Sequence, residues 1–346
     1  MTAYRLIPLL CLFTFAMTPL TLEQAINPPA TPAPTLAFHL SEQFTLPPRD
    51  IGWWWLGLEW NATNVYLAMI TRELLLVKAD GEDTFLQPQD HDFGSILDAQ
   101  WLDEEQIGFA DQDKDQTHIW RWNIHDPHAE LIASLPMRLE FADIQWATRL
   151  ATGRKDEQWM VWDFGAQPPT MLVDYSTIFI AAAYPVDVIW SPVEPEMLWQ
   201  LVPIRNLAGN IVVTTLGEDD RYTRPLNLGH GGEPECNSIK WSFDGTQIGC
   251  GEAGGSVSLI SSQSIPPVPP RRLNGLDSPI VDVYLSQDGS LIAGVDRESV
   301  AIWDVMEGEL VSRIAVAKGS VVALSRDNQR LAVGSLDGVI HIYQQS

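Results

Sequence analysis

Four aspartates recur at one spacing. Asp98, Asp143, Asp187 and Asp282 each stand three residues before a Trp or Leu, in Asp98-Ala-Gln-Trp101, Asp143-Ile-Gln-Trp146, Asp187-Val-Ile-Trp190 and Asp282-Val-Tyr-Leu285. Carboxylates drawn together from separate segments can serve as an acid and base pair in glycoside hydrolysis, or hold a cation. The repetition favours a structural duty, because a carboxylate at the start of a strand caps backbone amides there. Trp53-Trp54-Trp55, with Trp60 close behind, offers aromatic rings to a protein loop or a sugar. In a strand Trp53 and Trp55 share one face and Trp54 takes the other, so burying all three needs cover on both sides. Asp111-Gln-Asp-Lys-Asp115 alternates carboxylates as calcium loops do. Such a loop wants Gly and Glu where the chain has Gln116 and Trp122, so the string reads as a solvated turn. No Gly-x-Ser-x-Gly, His-Glu-x-x-His, phosphate loop or Cys-x-x-Cys occurs. No catalytic residue, metal or cofactor is therefore expected.

The elements that must position these residues are short strands in a repeat. Leu285–Ala293 aligns with Leu324–Ala332 without a gap, and each stretch runs on to a Val/Ile-x-Ile-Trp/Tyr ending at Trp303 or Tyr343. Alternating apolar and polar residues broken by Asp-Gly or Asp-Asn read as antiparallel strands joined by tight turns. The residue closing the first strand of each unit recurs as Trp60, Trp101, Trp146, Trp190, Trp241, Leu285 and Leu324, at intervals of 41, 45, 44, 51, 44 and 39 residues. That period matches a four-stranded propeller blade, and a unit this small must stack on neighbours to bury its faces. The expectation is an all-β fold, a seven-bladed β-propeller of four-stranded antiparallel blades over 36–346. The last unit supplies only three strands, so the segment 36–47 is expected to close the ring as that blade's outer strand.

These units resemble the WD40 repeat family. The resemblance is carried by Gly229-His230, Ser242-Phe-Asp-Gly245, Asp156 with Trp162-Asp163, Asp296 with Trp303-Asp304, and Asp337 with Tyr343. It covers nearly the whole chain after residue 36 and implies a propeller that serves as a rigid interaction platform. The family's buried set of His, turn Asp and Trp is incomplete in every blade here. His230 stands in a unit where Gly254 and Ile260 replace the Asp and Trp, and Asp296 and Trp303 follow Gly275-Leu276. Blade stability must then rest mainly on apolar packing between sheets.

Composition bounds the partners. Lys plus Arg is 21 against 45 for Asp plus Glu, a formal charge of −24, which repels nucleic acids and anionic lipid surfaces. Residues 1–25 carry Arg5 and then an apolar run over Leu6–Met17, as a signal peptide or an uncleaved N-terminal anchor does. Residues 26–35 are a Pro-rich linker. The protein is therefore expected outside the cytoplasm, secreted, periplasmic or membrane-anchored, with the membrane reached only through the N-terminal segment. Cys236 and Cys250 flank Ser242-Phe-Asp-Gly245. If Trp241 faces Thr246 across that turn, the cysteines come within one position of direct opposition, and either a disulfide or two inert thiols fits. Asn61-Ala-Thr63 also spells a glycosylation sequon. The expected role is that of a non-catalytic, monomeric scaffold for a protein partner, contacted at the channel mouth through Trp53, Trp54, Trp55, Asp98, Asp143, Asp187 and Asp282. The alternative is a carbohydrate-binding protein or glycoside-active enzyme using the same carboxylates and Trp residues.

Overall fold

The computed structural model describes residues 36–46, 55–89, 93–155, 158–174, 183–193, 196–203, 210–215, 222–226, 236–262 and 269–346; within these, 141, 174, 183–187, 196–203, 210–215 and 222–226 are described by backbone alone. All of them belong to the unit Pro34–Ser346. The described residues hold strands and no helix, and every sheet has four antiparallel strands. Phe38–Thr45 is β1. One blade contains Trp55–Trp60 (β2), Tyr66–Thr71 (β3), Leu75–Ala79 (β4) and Phe85–Leu86 (β5). The next contains Ser95–Trp101 (β6), Gln106–Gln112 (β7), Thr117–Asn123 (β8) and Glu130–Leu135 (β9). Then come Phe141–Gln145 (β10), Leu150–Lys155 (β11), Gln158–Asp163 (β12) and Thr170–Asp174 (β13), followed by Ala183–Trp190 (β14), Glu196–Pro203 (β15), Asn210–Thr215 (β16) and Tyr222–Leu226 (β17). Cys236–Trp241 (β18), Gln247–Glu252 (β19), Ser256–Ser261 (β20) and Arg271–Asn274 (β21) form a sheet, as do Asp282–Leu285 (β22), Leu291–Val295 (β23), Ser299–Asp304 (β24) and Leu310–Ala315 (β25). Gly319–Leu324 (β26), Arg330–Ser335 (β27) and Val339–Gln345 (β28) pair in order, and β28 then pairs with β1. The architecture is a β-propeller of four-stranded antiparallel blades. The recurring Trp or Leu closes the first strand of each blade, except that β10 ends one residue before Trp146.

The period of two along each strand explains how the blades stack. In β3, Leu67 and Met69 pack with Val321, Ala323, Ala332 and Ile340 of the β26–β28 blade. Ala68 and Ile70, on the opposite face, join Trp101, Ile107, Phe109 and Trp122 of the β6–β9 blade. The β20 and β24 residues share a cluster in the same way, and β23 and β24 share another with β26 and β27. Sheets that contribute to two of these clusters, such as β2–β5 and β22–β25, are covered on both faces, and burial of these aliphatic and aromatic side chains at about 25 cal/mol per Å2 supplies the main driving force. Gly108 lets this approach happen, since a Cβ there would fall 2.1 Å from the Trp146 ring of the next blade.

The hairpins after β18, β22 and β26 are built by one repeated hydrogen-bond set. Ser242, Ser286 and Ser325 donate through Oγ to Asp244, Asp288 and Asp327 at 2.6, 2.7 and 2.6 Å, and accept from the N–H groups of Gln247, Leu291 and Arg330 at 2.9, 2.9 and 2.8 Å. The chain then reverses through Gly245, Gly289 or Asn328, all with positive φ. This turn is longer than the sequence reading assumed. Trp241 faces Ile248, not Thr246, because Ser242 N–H bonds to the Gln247 carbonyl and holds both inside the loop. Cys236 consequently pairs with Glu252, and Cys250 with Ile239, across a bulge between Cys236 and Ser238. The cysteines form a disulfide with a Cα–Cα distance of 5.4 Å.

The segment at 36–46 pairs from Phe38 opposite Gln345 to Thr45 opposite Val339. Glu42 of β1 also reaches the nearly buried Lys78 of β4 at 2.6 Å, and Lys78 Nζ lies 5.0 Å from the centre of the Phe44 ring. At the same seam Arg330 stacks 4.4 Å over the Trp60 ring and pairs with Asp80 at 3.0 Å.

Candidate functional site

Inner strands present alternate residues to the propeller axis, so the positions one and three before the closing Trp or Leu face a shared cavity. Its volume is about 260 Å3, and its polar lining comprises Glu59, Asp98, Gln100, Asp143, Lys240, Asp282 and Tyr284. Trp190, Trp241 and Phe243 form its aromatic wall. Asp98, Asp143 and Asp282 therefore meet as the spacing predicts. Asp187 stands in β14 opposite Gln200, and its side chain lies outside the described set.

Asp98 and Asp282 accept from the N–H groups of Ala99 and Val283 on their own strands, as the sequence reading expects, and the carboxylates also stitch one blade to the next. Glu59 accepts from the Trp101 N–H at 3.1 Å, Asp98 from Ile144 N–H at 3.1 Å, Asp143 from Trp190 N–H at 2.5 Å and Asp282 from Val322 N–H at 3.1 Å. Asp282 accepts in addition from the Ser238 hydroxyl at 3.2 Å. Gln100 and Gln145 donate to the Ile144 and Ser191 carbonyls on the following blades. Hydrogen bonds to a charged acceptor are the stronger kind, and here they join main chains that share no sheet.

Burial dominates the electrostatics. Loss of solvent, reinforced by the charge of Asp98, pushes Glu59 up to about 7 against the opposing Trp101 N–H, Lys240 and Arg326. Burial likewise raises Asp98 to about 6, opposed by the Ile144 N–H and Lys240, and it raises Asp282. The Tyr284 phenol is pushed up by burial and by the Glu59 and Asp282 charges. Glu59 and Lys240 went unnoticed in the sequence because each is a single residue at its position. The signal that would have found them is alternation, since both sit two residues beyond the three-before position that carries the aspartates.

The other predicted residues serve the frame. Trp55 is half-buried and donates from Nε1 to the Ser335 carbonyl at 2.8 Å, across the seam between β2 and β27. Trp53, Trp54, His230 and Asp156 lie outside the described residues. Trp162 is buried in the cluster between the β6–β9 and β10–β13 blades. Asp296 accepts from the N–H groups of Glu298 and Ser299 to close its turn, and Trp303, fully buried, donates to the Asn274 carbonyl at 2.9 Å. Asp337 accepts from Ser335 Oγ, while Tyr343 stacks on His341. Asp111 is buried, accepting from Trp120 Nε1 at 2.7 Å and Gly94 N–H at 2.8 Å. Asp113 instead caps its own turn. Among the described residues no three His, Cys, Asp or Glu side chains are grouped as a metal site requires. The sequon residue Asn61 is fully buried, its Oδ1 accepting from Val65 and Tyr66 N–H and its Nδ2 donating to the Glu104 carbonyl.

The WD40 family model, described as WD domain, G-beta repeat, matches residues 310–344. The chain thus carries one stretch similar to a WD40 repeat, within a propeller fold. The matched stretch begins on β25, the outer strand of one blade, and runs through β26, β27 and β28 of the next, so the sequence repeat is offset by one strand from the structural blade. A comparison with curated proteins gives no match. Folds of the WD40-repeat type suggest a protein-interaction scaffold, whose contacts lie on surfaces that the rigid blades hold in place.

Proposed function

We propose that this propeller is a non-catalytic protein-interaction platform acting outside the cytoplasm, on a ring of seven blades closed by β1. The observation that carries the platform reading is the use of Glu59, Asp98, Asp143 and Asp282 as acceptors for the neighbouring blade's amides. A carboxylate that bridges two main chains is poorly placed to exchange protons with a substrate. The pairing of β1 with β28 supports the closure, and the Cys236–Cys250 disulfide suits an oxidising compartment. The formal charge of −24 favours a partner with a basic face over nucleic acid or anionic lipid. The platform works as a monomer, with residues of the axial cavity such as Phe243, together with the exposed Val193, as its contact surface.

The test is capture of partners from the host's envelope fraction with the full chain, compared with a Phe243→Ala, Val193→Asp variant. A stoichiometric protein that the variant loses supports the reading. Recovery of no protein, together with binding to a polysaccharide array, overturns it in favour of the carbohydrate binder or glycoside-active enzyme. Recovery of the chain solely from the cytoplasmic fraction with both cysteines reduced overturns the location.

A further inference from the structure

The axial cavity holds two oxygens that the frame leaves unused. Glu59 gives Oε2 to the Trp101 N–H, and its Oε1 takes no hydrogen bond among the described residues. Oε1 keeps some surface, so it opens on the cavity that Glu59 lines. The Tyr284 hydroxyl is placed alike, deep in the ring, lining the cavity and without a hydrogen bond among the described residues. Asp282, by contrast, has both oxygens occupied, by the Ser238 hydroxyl and the Val322 N–H. A polar group so deep in a protein calls for a partner, and an occupant of the cavity can supply one.

The lining fixes the class of occupant. Its carboxyl groups, on Glu59, Asp98, Asp143 and Asp282, outnumber the single ammonium of Lys240, which favours a positive ligand over a neutral or negative one. Burial pushes Glu59 up to about 7 even with Lys240 and Arg326 in reach, and a further cation beside Oε1 would stabilise its charged form. Trp190, Trp241 and Phe243 supply aromatic surface, the Phe243 ring lying 6.2 Å from that of Tyr284, and aromatic surface takes both apolar bodies and cations. A volume of about 260 Å3 exceeds the roughly 150 Å3 that encloses benzene, which sets the size at one ring or a short chain.

We propose that the axial cavity binds a small organic cation, its ammonium group on Glu59 and Tyr284 and its apolar body against Trp190, Trp241 and Phe243. Such a ligand enters the ring, whereas a docked protein covers its rim, so this site stands whether or not the platform reading does.

The probe is benzylamine, added to the full chain in a ligand-observed NMR titration, with benzyl alcohol as its uncharged counterpart and methyl glucoside as a sugar of similar size. Benzylamine is expected to bind once per chain below about 10 mM, and benzyl alcohol about tenfold more weakly. Glu59→Gln keeps an oxygen for the Trp101 N–H and is expected to weaken benzylamine about tenfold. Tyr284→Phe removes only the unpartnered hydroxyl and is expected to weaken it about threefold. Glu307→Gln removes the same charge from the exposed surface and is expected to change nothing. No binding up to about 10 mM, equal affinity for benzyl alcohol, or tighter binding of methyl glucoside each overturns the proposal. So does benzylamine binding that is unchanged in a folded Glu59→Gln or in Tyr284→Phe, or that Glu307→Gln weakens as much as Glu59→Gln. Tyr284→Phe decides the matter if Glu59→Gln fails to fold.

Discussion

Reducing the disulfide isolates one contribution to stability with little else disturbed. Cys236 and Cys250 are 14 residues apart, and both are buried. A cross-link enclosing a loop of about 15 residues removes about 3 kcal/mol of unfolded-chain entropy. Reduction removes no atom, so no cavity opens, and the only local change is that the two sulfurs part to van der Waals contact. The bridge also sits where the ladder most needs it, at the end of the β18–β19 hairpin far from the Ser242–Gln247 turn, beside the bulge between Cys236 and Ser238. For a folded body of this size, about 3 kcal/mol corresponds to a fall of about 5 °C in Tm. The assay is urea and thermal unfolding of the oxidised and fully reduced chain, with the thiol state checked by intact mass. A reduced chain that unfolds at the same urea midpoint as the oxidised one refutes the reasoning, as does a mass showing two thiols in the purified protein.

Three further outcomes follow from the frame. Deleting residues 36–46 removes every β1–β28 pair and leaves the nearly buried Lys78 without Glu42, so the deleted chain is expected to aggregate or lose cooperative unfolding; an unchanged melting curve would show that β1 is dispensable. Ser286→Ala breaks the bonds to Asp288 and from Leu291 N–H at a fully buried serine, for an expected loss of about 1–3 kcal/mol, whereas a loss under about 0.3 kcal/mol in chemical denaturation would remove the turn set from the account. Stability should fall on both sides of a maximum near about pH 4. On the alkaline side, the raised Glu59 and Asp98 contribute stability present below their unfolded values and lost as pH rises through about 6 and about 7. On the acid side, Asp113 is lowered to about 2 by the Asp115 and Gln116 N–H groups and by His118. Burial would raise Asp288, but Ser286, Ser290 and Asn328 outweigh it and bring it to about 2. What these two contribute is lost as pH falls through that value, and a melting temperature that climbs steadily from about pH 4 to about pH 7 would contradict the assignment.

Much of the frame was legible because it depends on short-range pattern. The Trp and Leu positions mark inner-strand ends, since each must be apolar and recur once per blade, and the Ser-x-Asp turns announce themselves by side chains that bond their own backbone. The hairpin register slipped by two residues at Trp241 because the extra length of the turn is fixed by the Ser242 and Gln247 backbone groups, which carry no residue signature. The axial site was half legible. Spacing found Asp98, Asp143 and Asp282 and the own-strand amides that Asp98 and Asp282 accept from, but missed Glu59, Lys240 and the bonds to the next blade. Those further donors are main-chain N–H groups of another blade, and no residue type reveals them. Asn61 and Asp111 teach the reverse lesson: a sequon and a metal-like string are both explained by buried hydrogen bonds that fold the turn.

The seam at the axis has an evolutionary corollary. Each link joins a side-chain carboxylate to a backbone N–H, and every residue except proline offers that N–H whatever its identity. A copied blade bearing an acid on its inner strand could bond to any successor without a matching mutation in it. Such one-sided joints make blades exchangeable parts, which allows gene duplication to be followed by the wide sequence drift seen between the first units of this chain and its last.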